Sequence, residues 1–120
     1  MSLIHWSQPQ SAMNESWLEF RVVGPNCAGI VNTHHKLFGS IETRPPKGDV
    51  AFISQSGALG GAVLSWAEEQ GMGFSKFLSY GNRVDLDEID LLPYLAHDPE
   101  TRAAALYIES VATGRAFLRA

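Results

Sequence analysis

A chain of 120 residues holding 9 Lys and Arg against 13 Asp and Glu carries a net charge of −4. No basic run is present to neutralise a row of phosphates, which excludes a nucleic-acid or anionic-membrane surface. The single cysteine, Cys27, excludes an internal disulfide and fits a reducing, cytoplasmic setting. No apolar run reaches the ~20 residues of a membrane span.

In chain order, residues 1–19 show no period of two or 3.6 and lack the charged start and apolar middle of a signal peptide. They read as a leader of unassigned origin outside the fold. The run Phe20-Arg21-Val22-Val23 reads as a short strand ending at Gly24-Pro25. Residues 26–48 are loop-like, closing on the turn Pro45-Pro46-Lys47-Gly48. Within them, His34 and His35 have no partners at metal-ligand spacing, so no metal is assigned.

A strand is expected over Val50–Ile53, then a helix over Ala58–Gln70. Leu59, Val63, Trp66 and Ala67 would form that helix's core face, and Gly71 suits a left-handed stop. Phe74–Ser79 reads as the next strand, with Phe77 in the core. Asp85–His97 reads as a helix opening on Asp85-Leu86-Asp87-Glu88. Those acids, with Asp90, fit a capped and solvated helix start better than a metal cluster, because calcium-loop spacing is absent. Asp98-Pro99 stops the helix. Ala103–Ile108 is a third core strand, and Thr113 begins a further helix.

Strands alternating with helices imply parallel pairing, right-handed crossovers and a sheet covered on both faces. The expected fold is therefore an α/β, three-layer parallel sheet of flavodoxin-like order. In that order the first and third core strands are neighbours, and the loops after them share a crevice. Those loops are Ser54-Gln55-Ser56-Gly57 and Glu109-Ser110. The first is an elbow between strand and helix. Unpaired N–H groups and the positive end of the helix dipole gather there, with two serine hydroxyls beside them, which suits a phosphate or carboxylate. The same serines serve equally as plain helix caps. Gly57, Gly60 and Gly61 form neither Gly-x-Gly-x-x-Gly nor a Walker A motif. A lone Glu109 beside an anion repels it, unless a proton carrier such as histidine enters between them.

Four segments in register carry a resemblance. Gly24-Pro25-Asn26-Cys27-Ala28-Gly29, Phe52–Gly60, Ser79–Asp85 and Leu106-Tyr107-Ile108-Glu109 resemble the NDP-forming acyl-CoA synthetases, in the ligase domain similar to the succinyl-CoA synthetase α-subunit. The resemblance covers about residues 20–120 and makes them a partial CoA-ligase domain. It implies ligation of an acid to a thiol through an acyl phosphate and a phosphohistidine. Coenzyme A and phosphate would be reactants, and ADP or ATP with Mg would sit on a partner ATP-grasp domain or subunit. It implies that Ser54, Gln55, Ser56 and Gly57 hold phosphate and that Glu109 orients the histidine. Asn26, Gly60 and Gly61 would lie near the substrate and coenzyme A. None of His5, His34, His35 and His97 matches the phosphorylated position, which lies downstream of Glu109 in the family. A CoA-binding Rossmann domain would be a second partner. The 120 residues alone are therefore expected to be inactive, and to self-associate through exposed apolar area. Gly61, where succinyl-CoA synthetases carry an aromatic residue, implies room for other acyl groups. Two alternatives stay open: an acyl-CoA-sensing module of a protein acetyltransferase, and an unrelated flavodoxin-like domain for flavin or phosphate.

Overall fold

A computed structural model describes residues 2–5, 20–40 and 43–120. In chain order the elements are β1 (Ser2–His5), β2 (Phe20–Val23), β3 (Gly29–Asn32), β4 (Leu37–Ser40), β5 (Lys47–Ser54), α1 (Gly57–Glu69), β6 (Phe74–Ser79), α2 (Glu88–Ala96), β7 (Ala103–Tyr107) and α3 (Gly114–Phe117). Five strands form one sheet in the order β4-β3-β6-β5-β7, while β1 and β2 pair separately.

The parallel half follows the expectation in strand order and direction, but β7, expected in the core, is an edge strand whose residues are mostly exposed. β5 lies between β6 and β7 and runs parallel to both. The second, first and third core strands thus stand side by side, with the order reversing between β5 and β7. Alternation along the strands sorts side chains to two faces. On one face, Phe52 and Phe77 sit in register and pack with Val31 and Phe74 against Leu64 and Ala67 of α1. On the other, Ala51, Ile53 and Leu78 pack with Val23 and Ile30 against Leu91 and Leu95 of α2. The result is three layers, with one helix on each side of the sheet. Burying a leucine such as Leu64 or Leu95 contributes roughly 1.5–3 kcal/mol.

Other expectations change. The sheet is mixed rather than purely parallel, because the loop-like stretch contains a hairpin. β3 pairs antiparallel with β4 and also with β6. Ile30 and Val31 are buried, one on each face, and this anchors the hairpin to the parallel strands. Part of the leader is also structured, since Ser2–His5 pairs antiparallel with Phe20–Val23; residues 6–19 lie outside the described residues. Finally, α1 turns a different face to the sheet. Gly60, Leu64 and Ala67 are buried, while Leu59 and Trp66 are exposed. The physical reason is close approach. A Cβ at Gly60 would stand 2.6 Å from the Phe77 ring, so the glycine side is the one that fits against the strand.

At α2 the acids divide their work. Asp87 is the N-cap and forms a reciprocal capping box with Asp90. Asp85 stands outside the helix, bonded to Arg21 and to the Val22 amide. The Arg21 guanidinium and the Val22 amide hold the Asp85 carboxyl below its usual value. Glu88, expected on a solvated face, is fully buried.

Candidate functional site

The site is built where β5 becomes α1. β5 ends at Ser54, and Ser56 caps α1 by accepting a hydrogen bond from the Leu59 amide at 3.3 Å. The elbow is held from both sides. The Gln55 amide donates to the Tyr107 carbonyl at 3.0 Å, and the Tyr80 amide donates to the Ser54 carbonyl at 3.2 Å. Ser54 itself is fully buried, and its hydroxyl donates to the Ser56 carbonyl at 2.7 Å. Its hydroxyl is therefore spent inside the elbow rather than turned to a ligand.

Gln55 joins the two loops that the topology brings together. Its Oε1 accepts from the Glu109 amide at 2.9 Å and from the Ser110 amide at 3.1 Å. Two donors fix which end of the side-chain amide faces them, leaving the NH2 end free to donate. At the start of α1, the Leu59 and Gly60 amides are occupied by Ser56. The Gly57 and Ala58 amides are the next donors of that turn, without a partner among the described residues.

These groups face an open pocket of about 600 Å³. Gln55, Ser56, Gly57 and Ala58 form one wall, and Glu109 forms another. Asn26, Cys27 and Ala28 line it from the segment after β2, with Gly81 and Asn82 from the turn after β6. Asn26 donates from Nδ2 to Asn82 Oδ1 at 3.3 Å, and the Asn82 amide donates to the Pro25 carbonyl at 2.9 Å. The two turns meet closely. A Cβ at Gly81 would overlap the carbonyl oxygens of Pro25 and Asn26, and the glycine has φ +52°. The Gly24–Pro25 peptide is cis.

Of the residues singled out from sequence, Gln55, Ser56, Gly57, Asn26 and Glu109 line this pocket. Ser54 lies beneath it, Gly60 faces Phe77, and neither Gly60 nor Gly61 belongs to the wall. Sequence reasoning missed Cys27, Ala28, Gly81 and Asn82 as lining residues. The Gly81-Asn82 turn signal was visible, but not that it folds onto Asn26.

A second polar cluster occupies the far end of the sheet. Lys76, only 3% exposed, bonds Asp98 and reaches Glu100 at 3.0 Å. Thr101 donates to the same Asp98 oxygen, and its hydroxyl meets that of Ser75 at 2.7 Å. His34 and His35 both approach Glu100 Oε1, at 3.7 and 3.5 Å. Burial pulls the Lys76 ammonium down, but its bonds to Asp98 and Glu100 outweigh this and leave it raised. Burial pushes the Asp98 carboxyl up, but Lys76 and Thr101 outweigh this and leave it lowered. Among the described residues no group of three His, Cys, Asp or Glu could hold a metal ion. No helix among them is long and apolar enough to cross a membrane.

The family model described as "succinyl-CoA ligase like flavodoxin domain" matches residues 47–120, the stretch from β5 onward. The chain belongs to this family. A Pyrococcus furiosus relative, the α subunit of acetate–CoA ligase [ADP-forming] II, is 52% identical over 98 residues, 82% of this chain and 21% of that one. Acetate–CoA ligase [ADP-forming] I of Archaeoglobus fulgidus is 47% identical over 82% of this chain and 15% of its own length. Among solved structures, a Pyrococcus horikoshii protein superposes with a TM-score of 0.80 and 49% identity, over 82% of this chain and 23% of that one. A "Ca. Korarchaeum cryptofilum" dinucleotide-forming acetyl-coenzyme A synthetase, solved with phosphate and ADP, gives 0.75 and 39%, over 82% and 22%. The ligase-like flavodoxin domain thus spans about a fifth of the relatives that it matches.

Proposed function

We propose that this domain is the phosphate-holding segment of an ADP-forming acyl-CoA synthetase. In the overall reaction acyl-CoA, phosphate and ADP give the free acid, coenzyme A and ATP. Phosphate displaces coenzyme A to form an acyl phosphate. A histidine outside these 120 residues takes the phosphoryl group and releases the carboxylic acid, and the histidine then passes the phosphoryl group to ADP. A CoA-binding domain and an ATP-grasp domain or subunit, the latter with Mg and nucleotide, would complete the enzyme. The observation that carries the reading is the meeting of two loops in one pocket. The α1 start presents donors there, and Glu109 stands opposite.

The division of labour follows from chemistry. The Gly57 and Ala58 amides, the Ser56 hydroxyl and the Gln55 NH2 group donate to phosphate oxygens. These donors are fixed before the ligand arrives, which is what phosphoryl transfer demands of a protein. Glu109 accepts from one imidazole nitrogen and leaves the other facing the phosphate. Without the imidazole, Glu109 and phosphate repel, so binding to the domain alone is weak.

Titration of the isotopically labelled chain with inorganic phosphate tests this by NMR. The Gly57 and Ala58 amide signals should shift saturably. Ser56→Asp should abolish the shift by placing like charge at the helix start. Saturation at the same amides in Ser56→Asp, or no shift in the wild type, overturns the reading. In the complete synthetase, Glu109→Gln should slow radiolabelled phosphate incorporation while the fold persists.

A further inference from the structure

Gln55 grips only half of the loop that carries Glu109. It accepts from the two amides, Glu109 N and Ser110 N. The acceptors of the same loop are taken from the opposite side. Arg83 donates from Nη1 to the Ser110 carbonyl and from Nη2 to Ser110 Oγ at 3.0 Å. The planar guanidinium is suited to such a paired grip, which an ammonium cannot reproduce.

Arg83 is itself held in an unusual state. Its backbone has φ +43°, a left-handed conformation that costs a residue with a Cβ of order 1 kcal/mol. The turn is closed by the Arg83 amide donating to the Tyr80 carbonyl at 3.0 Å. Glu88, fully buried in the first turn of α2, lies 3.5 Å from Nη1. Glu88 Oε2 and the Tyr80 hydroxyl are both buried and meet no partner in hydrogen-bond geometry among the described residues. Burial, and after it the nearby Glu88, push the Tyr80 hydroxyl up. A buried carboxylate so sparsely bonded is costly to keep. Its one cationic neighbour among the described residues spends its shorter contacts elsewhere, on the Glu109 loop.

We propose that Arg83, anchored by Glu88, is a positioning residue that sets the place of Glu109 through Ser110. Its functional meaning rests on the reading of Glu109 given above; its structural content does not. A turn after β6 and the first turn of α2 are thereby coupled to the acid at the end of β7.

Amide hydrogen exchange of the labelled chain tests the proposal. Arg83→Lys keeps the charge beside Glu88 but loses the fork. It should make the Glu109 and Ser110 amides exchange about tenfold faster and leave Ile53 and Leu78 unchanged. Ser110→Ala, which keeps the carbonyl contact, should give a smaller change. If Arg83 merely neutralises Glu88, the double variant Arg83→Gln/Glu88→Gln restores wild-type exchange at Glu109 and Ser110. That result overturns the proposal, as does wild-type exchange in Arg83→Lys. In the complete synthetase, Arg83→Lys should lower kcat with KM for phosphate unchanged; a raised KM with unchanged kcat also overturns it. The phosphate titration fails or succeeds separately. A wild type that ignores phosphate removes the pocket's reading but leaves the exchange result standing.

Discussion

The two ends of the sheet spend their polar groups in opposite ways. At the far end, Lys76, Asp98, Glu100, Thr101 and Ser75 satisfy one another in a closed cluster. At the other end, donors are held rigidly but have no partner among the described residues, as with the Gly57 and Ala58 amides. Both ends are ordered by the same strands, β5 and β6. Buried polar groups that complete each other hold the fold, whereas preorganised groups left incomplete are what a ligand can use. Stability and binding should therefore respond separately to mutation.

The largest separation is expected from Lys76→Met. It leaves the part-buried Asp98 without its cation, with Thr101 still donating to it. The cost should be about 3 kcal/mol in a denaturation experiment, the lower end for breaking a buried pair. Phosphate shifts at Gly57 and Ala58 should survive wherever the variant stays folded. At the pocket end, Gly81→Ala inverts the pattern. Its Cβ must push apart the turns at Pro25-Asn26 and Gly81-Asn82. The cost should be about 1–3 kcal/mol by the usual penalty for overpacking, together with lost phosphate binding. Ser56→Ala removes a cap and one pocket hydroxyl, and should cost ~1 kcal/mol in stability.

The smallest test uses acid. Asp98 has a folded pKa below its ordinary value of 3.8, so its contribution is present above that value and lost as pH falls through the folded one. Lys76, raised above 10.5, contributes throughout the neutral range and loses its effect only as pH rises through its folded value. Thermal denaturation should show a plateau near neutrality and a fall in strong acid. Lys76→Met should flatten the part of that fall due to Asp98.

Much of the parallel half was legible because local signals agreed with the global fold. The run Val50–Ile53, the cap at Ser56 and the stop at Gly71 mark elements where the structure has them. The acidic start expected at Asp85–Glu88 lies two residues early, since Asp87 and Asp90 form the box and α2 begins at Glu88. The hairpin of β3 and β4 was not, because each strand has four residues and turn-forming residues surround them. Its first strand, β3, is specified by pairing with β6, a contact no local window contains, and β4 then pairs with β3. The buried face of α1 was misread for a related reason. Val63 and Ala67 do pack inward, but Leu59 and Trp66 are as apolar as the buried set, and only the Gly60–Phe77 approach decides between the faces. The two-loop pocket followed from strand order, while its third wall depended on Gly81 meeting Asn26.

That same approach makes a hidden phenylalanine into a gauge. The height of α1 above the sheet is set by the tip of the Phe77 ring under Gly60. The elbow's amides move with the helix that bears them. Trimming Phe77 to leucine would let the helix settle inward, so an alteration wholly inside the protein would register as weakened anion capture at its surface.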